Sequence, residues 1–207
     1  MLDDALSRHH ARVSLTSLYL APQDPESSVD LAVVQSVLTR LEIIGSPIDG
    51  QTFLAGQGFS REVVYAGCSP YLIMKPPDDG SLQFCHVALH GPLSSPQLVL
   101  GPNTVKPRCP HCRQRLDDWR AWLADGWSEV DQFPCSNCQA PLTPCAADWR
   151  ENALCARMMV ELRNVFPGEA TPSDRLLDAL QDATATPWRY AWAAYFNQPP
   201  SVQPTTT

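Results

Sequence analysis

Two Cys-x-x-Cys pairs, Cys109 with Cys112 and Cys135 with Cys138, stand 22 residues apart, and no other feature of the chain restricts its folding so narrowly. A gap of two residues lets a tight turn aim both sulfurs of a pair at one point. Two such turns supply four thiolates, the full complement of a tetrahedral structural zinc site. The interval slightly exceeds the usual zinc spacing of about 15 to 20 residues but belongs to the same pattern. A single iron suits the same four sulfurs and is the rival metal. Pairing the four as two disulfides would call for an oxidising compartment, and no basic, apolar signal segment is seen. A redox dithiol normally occurs as one pair at a helix start, whereas both pairs here sit in turn-like settings beside proline.

The two turns resemble the knuckle pair of zinc ribbons and, less closely, that of rubredoxins, over about residues 106 to 142. The resemblance implies a small metal-stabilised ribbon and no particular activity. Cys68, Cys85, Cys145 and Cys155 show no pair spacing and read as small buried hydrophobes, with Cys145 as a conceivable substitute ligand.

Charge narrows the partners. A net charge of −7 argues against a general nucleic-acid binder, because phosphate-backbone affinity needs clustered Lys and Arg. The charge is unevenly spread, however. Residues 1–105 hold ten acids and five bases, residues 106–145 five of each, and residues 146–207 seven acids and five bases. Lys106, Arg108, Arg113, Arg115 and Arg120 flank the first cysteine pair, opposed over that stretch by Asp117 and Asp118. Basic neighbours balance the excess negative charge of four metal-bound thiolates. Alternatively, Arg113, Arg115 and Arg120 form a partner-binding patch.

The stretch before residue 105 reads as a small mixed sheet with one helix. Residues 12–20 alternate as a strand does, and residues 28–44 place Leu31, Val34, Leu38 and Leu41 at helical spacing, with Ser27 or Ser28 to cap the start and Gly45 to end it. Short β-like runs follow at 52–54, 62–66, 71–75 and 82–89, the last two joined as a hairpin by the turn Pro76-Pro77-Asp78-Asp79-Gly80. His86 and His90 share a strand face about 13 Å apart, too far for one ion, and read as polar-face histidines. Gly56-Gln57-Gly58 lacks the Lys-Ser/Thr end of a phosphate loop and reads as a flexible turn.

Between the cysteine pairs, residues 114–125 predict a short helix with Leu116, Trp119 and Leu123 on one face, and Trp119, Trp122, Trp127 and Phe133 are the candidate core of the ribbon. After Pro144 the periodicity predicts three helices. One covers 148–166 on Leu154, Met158, Leu162 and Val165. The second opens at Thr171-Pro172-Ser173-Asp174, and the third carries Trp188, Trp192, Tyr195 and Phe196.

These readings combine into an α+β chain. A sheet unit at 1–105, a zinc ribbon at 106–145, a helical unit at 146–197 and a Pro- and Thr-rich tail at 198–207 follow in order. The expected role is a cytoplasmic, non-catalytic adaptor or protein-interaction module, with zinc at Cys109, Cys112, Cys135 and Cys138 in a structural role. The expected partner is a protein. The alternatives are a nucleic-acid-associated regulator using the basic patch, and an enzyme with a pocket between the flanking units. No nucleophile-elbow motif supports the last. No run of eighteen apolar residues predicts a membrane span.

Overall fold

The computed structural model describes residues 17–65, 72–100, 104–124, 131–166, 169–193 and 195–196. In chain order these form β1 (Ser17–Pro22), α1 (Leu31–Arg40), β2 (Ile44–Asp49), β3 (Thr52–Ala55), the single turn α2 (Phe59–Glu62), β4 (Val63–Tyr65), β5 (His86–His90) and β6 (Gln97–Leu100). There follow α3 (Trp119–Ala124), β7 (Phe133–Pro134), β8 (Pro141–Leu142), β9 (Leu154–Ala156), β10 (Met159–Arg163), β11 (Ala170–Pro172), α4 (Asp174–Thr184), β12 (Trp188–Ala193) and β13 (Tyr195–Phe196). The chain is α+β, as its sequence predicts.

An antiparallel six-stranded sheet in the order β12-β1-β10-β5-β3-β2 organises the molecule. It draws strands from both sides of the cysteine-rich segment. Because side chains alternate across a strand, β1 presents Leu18 and Leu20 to one face and Tyr19 and Ala21 to the other. On the first face Leu18, Leu20, Val87, Leu89, Val160 and Leu162 pack against Val34 and Leu38 of α1 and Leu176 and Leu180 of α4. On the second face Tyr19, Ala21, Met159, Ala191 and Ala193 meet Val99, Leu154 and Ala156 of a three-stranded sheet ordered β13-β6-β9. That smaller sheet turns Leu98 and Cys155 the other way, onto Leu116, Leu142, Trp119 and Trp149 beside the cysteine pairs. The layers therefore run from helices through two sheets to the knuckles. Each fully buried Leu, Val or Met contributes about 1.5–3 kcal/mol, so the middle strands, covered on both sides, dominate stability.

Local chemistry sets the element ends. Asp30, not Ser27 or Ser28, caps α1 by accepting from the Ala32 N–H at 2.8 Å, and the helix exits through Glu42 at φ 57°, before Gly45 is reached. Gly45 lies instead in β2. The Gly56-Gln57-Gly58 segment is not a loose turn. The Gly56 and Gly58 N–H groups donate to Ile43 and Glu42 carbonyls at 2.8 Å, and a Cβ at Gly56 would meet the Glu42 oxygen at 2.1 Å. Those donors are therefore spent inside the fold. Ser173 caps α4, accepting from the Leu176 N–H at 3.1 Å, whereas Thr171 and Pro172 belong to β11.

Two of the three helices expected after Pro144 are strands. Leu154 to Arg163 forms β9 and β10, and Trp188 to Phe196 forms β12 and β13, the latter pair leaving out residue 194. A spacing of four fits one helical turn and also two strand pleats, so Leu154, Met158 and Leu162, or Trp188 and Trp192, satisfy either structure. Burial decided the outcome, since Leu154 through Ala156 and Met159 through Leu162 are covered on both faces, as inner strands are and amphipathic helices are not. The second predicted helix formed as α4, because Leu176, Leu177 and Leu180 fit no strand alternation. Residues 72–75 form no strand, although the Ile73 carbonyl accepts from the Cys85 N–H at 2.7 Å. The start of the strand predicted over 12–20 and the tail lie outside the described residues.

Candidate metal centre and its basic flank

Both cysteine pairs fold into the same turn. In the first, the Arg113 N–H donates to the Cys109 carbonyl and the Cys109 N–H to the Gln114 carbonyl, each at 2.9 Å. In the second, the Gln139 N–H donates to the Cys135 carbonyl and the Cys135 N–H to the Ala140 carbonyl, again at 2.9 Å. The residue after each pair, Arg113 at φ 63° and Gln139 at φ 59°, adopts the left-handed conformation that closes the turn. An identical backbone pattern repeated at two distant places makes a pair of facing knuckles.

The sulfurs converge. Cys109 Sγ lies 3.8 Å from Cys138 Sγ, Cys112 Sγ lies 3.7 Å from Cys135 Sγ, and all four fall within 4.8 Å of one another. Four sulfurs about 2.3 Å from one centre would stand roughly 3.8 Å apart along each tetrahedral edge, so the spacing is compatible with a zinc-sized ion. The donor set also fits a metal chemically. The Asn137 side chain and the Gln114 N–H point at Cys112 and hold its thiol down at about 6, while the Cys138 and Asn137 N–H groups lower Cys135. At Cys138 the Ala140 N–H favours the thiolate, but partial loss of water around the sulfur and the three neighbouring sulfurs outweigh it and push the thiol up to about 11. N–H donors aimed at sulfur orient ligands and spread thiolate charge. Cys109 and Cys135 are buried, Cys112 is half-buried and Cys138 exposed, so the centre sits with one edge towards solvent.

The knuckles rest on aromatic packing. Trp119 of α3 and Trp149 meet edge to face at 5.2 Å, and the Trp149 Nε1–H donates to the Pro144 carbonyl at 2.7 Å. Trp119 is thus a core residue, as its helical face predicts. Trp149 joins this core although the sequence carries no such signal: Pro144 is near it in the chain, but Trp119, Leu116 and Leu98 reach it only through the fold. The side chain of Trp122, and all of Trp127, lie outside the described residues. Phe133 belongs to β7, paired with Leu142 of β8. Cys145 and Cys155, expected as unpaired hydrophobes, form a disulfide with Cα atoms 5.2 Å apart, and Cys145 therefore does not serve as a ligand. Their ten-residue separation carries no local signal for pairing; the arrival of β9 against the knuckle layer creates it.

The basic patch divides. Arg113 forms an ion pair with Asp148 at 2.8 Å, while Arg115 and Arg120 turn towards a different pocket, which they share with Lys106, Arg108 and Arg150. Sequence order placed four of these five together, but Arg150 enters from beyond the second knuckle.

On the second face of the large sheet, Glu161 is 5% exposed and carries a network that the sequence did not disclose. One oxygen accepts from Ser17 Oγ at 2.7 Å and the Tyr19 hydroxyl at 2.8 Å; the other accepts from His90 Nε2 at 2.7 Å and pairs with Arg163 at 2.9 Å. His86, read as a polar-face residue, is fully buried beside it, with Nδ1 donating to the Phe84 carbonyl at 2.7 Å and burial lowering its pKa. His86 and His90 do not converge on one centre. Among the described residues, Cys109, Cys112, Cys135 and Cys138 form the one cluster with metal-ligand geometry, and no helix is long and apolar enough to cross a membrane. Nothing matches this chain among protein-family models, curated proteins or solved structures.

Proposed function

We propose that the chain is a zinc-binding, non-catalytic adaptor in which the four-thiolate centre fixes the surface presented to a protein partner. The repeated knuckle geometry carries this reading: two turns with the same hydrogen bonds bring four sulfurs within 4.8 Å. Four thiolates fill a tetrahedral ion's coordination shell, so no position remains for a reacting water, and the metal's role is structural. Zinc is preferred over iron because four-cysteine sites of this kind are mostly zinc. We place the chain in the cytoplasm on its cysteine chemistry, against which stands the Cys145–Cys155 disulfide, a bond that oxidising compartments favour.

Elemental analysis of protein purified without added metal is the direct test. About one equivalent of zinc per chain supports the proposal, one equivalent of iron replaces the metal, and much less than one of either defeats it. A second reading, a nucleic-acid-associated regulator, draws on Arg115 and Arg120 sharing one pocket. A salt-dependent shift on mixed oligonucleotides favours that reading, and its absence returns the surface to a protein partner.

A further inference from the structure

We propose that the pocket beside the first knuckle binds a compact, multiply charged phosphate anion. This rests on the binding-protein reading in one respect: the knuckle holds one wall of the pocket. The cavity is about 430 Å³, lined by Lys106, Arg108, Arg115, Arg120, Arg150 and Thr104. Its size lies within the about 300–1,000 Å³ typical of small-ligand sites and exceeds what a lone orthophosphate fills.

Three chain segments build the walls, and each is pinned. Arg108 exchanges backbone hydrogen bonds with Asp148, N–H to carbonyl in both directions at 2.9 Å, which fixes the segment before the knuckle against the turn carrying Arg150. Arg108 is also the bridge partner of Arg115 across the knuckle. Thr104 Oγ1 donates to the Asn152 carbonyl at 3.1 Å and closes the third side.

The charges are arranged as a ligand would require. Like charges directly opposite on paired strands repel, yet Arg108 and Arg115 occupy that relation and both line the cavity. Arg108 Nη1 donates to the Arg113 carbonyl at 3.0 Å, and the Arg120 guanidinium sits 4.3 Å from the centre of the Trp119 ring, so both are oriented by neutral groups that leave their charge unspent. Lys106 pairs with Asp117, and the Asp148 carboxylate, paired with Arg113, accepts from the Arg150 backbone N–H at 3.1 Å. Among the described residues, the guanidinium groups of Arg115 and Arg150 have no carboxylate partner. Guanidinium forks match phosphate oxygens bidentately, and four of them converging select a polyvalent phosphate over a monovalent anion.

The shape favours a small ligand over a nucleic-acid strand. The chain carries fifteen Lys and Arg against twenty-two Asp and Glu, and five of the fifteen line this one cavity. With a net charge of −7 the rest of the chain offers a polynucleotide little attraction, whereas a diphosphate would lie within the cavity.

Titration calorimetry with inorganic pyrophosphate, orthophosphate and sulfate tests the inference, with zinc measured on the same samples. Pyrophosphate should bind at least tenfold more tightly than sulfate; Arg115→Gln and Arg150→Lys should each weaken it by roughly tenfold, and Asp117→Asn should tighten it by freeing Lys106. Arg115 and Asp117 are exposed, so neither change threatens folding. Pyrophosphate binding no better than sulfate, or unaltered in the arginine variants, overturns the proposal. So does a mixed single-stranded oligonucleotide that binds far more tightly than pyrophosphate with a steep salt dependence. Zinc-replete protein without a pyrophosphate response rejects the pocket alone; metal-free protein that retains the response rejects the metal reading alone.

Discussion

Glu161 stays charged inside the fold because four donors meet its two oxygens. Burial alone would raise its pKa, but the His90 hydrogen bond, the Arg163 charge and the Ser17 hydroxyl outweigh that and hold it at about 2. The folded value lies below the ordinary carboxylate value, so its stabilisation is complete above about pH 4.5 and is lost as pH falls towards about 2. Urea unfolding of Glu161→Gln should show a loss of about 3–5 kcal/mol at neutral pH, since an amide cannot accept from all four donors and leaves Arg163 without its carboxylate. The acid-induced loss of stability should also be shallower in the variant than in the parent. Cys109→Ser and Cys135→Ser belong to the same scale. Each removes a ligand of the proposed ion, whose binding energy would also be folding energy, so thermal unfolding should fall by the equivalent of at least ~3 kcal/mol, with metal content well below one equivalent. The cysteine pairs were legible in the sequence because a two-residue gap forces local convergence. The Glu161 network was not, because Ser17, Tyr19 and His90 meet it only through strand pairing, and Arg163, two residues along β10, is its one partner near in sequence.

At the scale of the element, legibility depended on whether a spacing distinguishes helix from strand. Leu176, Leu177 and Leu180 do so and gave α4; Leu154, Met158 and Leu162, evenly four apart, do not, and their segment became β9 and β10. The basic pocket was half legible for a similar reason: Arg108, Arg115 and Arg120 are close in sequence, and Arg150 reaches them through the Arg108–Asp148 pairing. The start of α4 shows how an element end couples to the core. The Ser173 hydroxyl accepts from the Leu176 N–H and also donates to Glu62, which is 1% exposed and pairs with Arg175 at 3.1 Å. Ser173→Ala removes a helix cap and a donor to a buried carboxylate together. A loss of about 1–3 kcal/mol is expected in chemical denaturation, against about 0.5–1.5 kcal/mol for Ser173→Asn, which keeps the cap and an N–H donor, whereas Ser173→Asp sets a second carboxylate against Glu62 and should be no milder than alanine.

Across the whole molecule, the layered packing separates two kinds of stability. The six-stranded sheet has its own core with α1 and α4, while the knuckles rest on Trp119 and Trp149, on one face of the β6–β9 pair and, in the proposed zinc-bound state, on the ion. Chelation of metal-loaded protein followed by hydrogen exchange should therefore strip protection from residues 104–124 and 131–149. β1, β5 and β10 should keep theirs. Equal loss in the large sheet would show that the layers fold as one unit. The sheet has a further consequence in mechanical terms. Ser17 at the start of β1 is the register partner of Ala193 at the end of β12, so the strands that open and close the sheet lie side by side with these two residues at one corner. Tension applied between those residues loads the ladder one hydrogen-bonded pair at a time. The molecule would peel open there at low force, whereas pulling along β10, gripped by β1 and β5 on both sides, would shear many bonds at once.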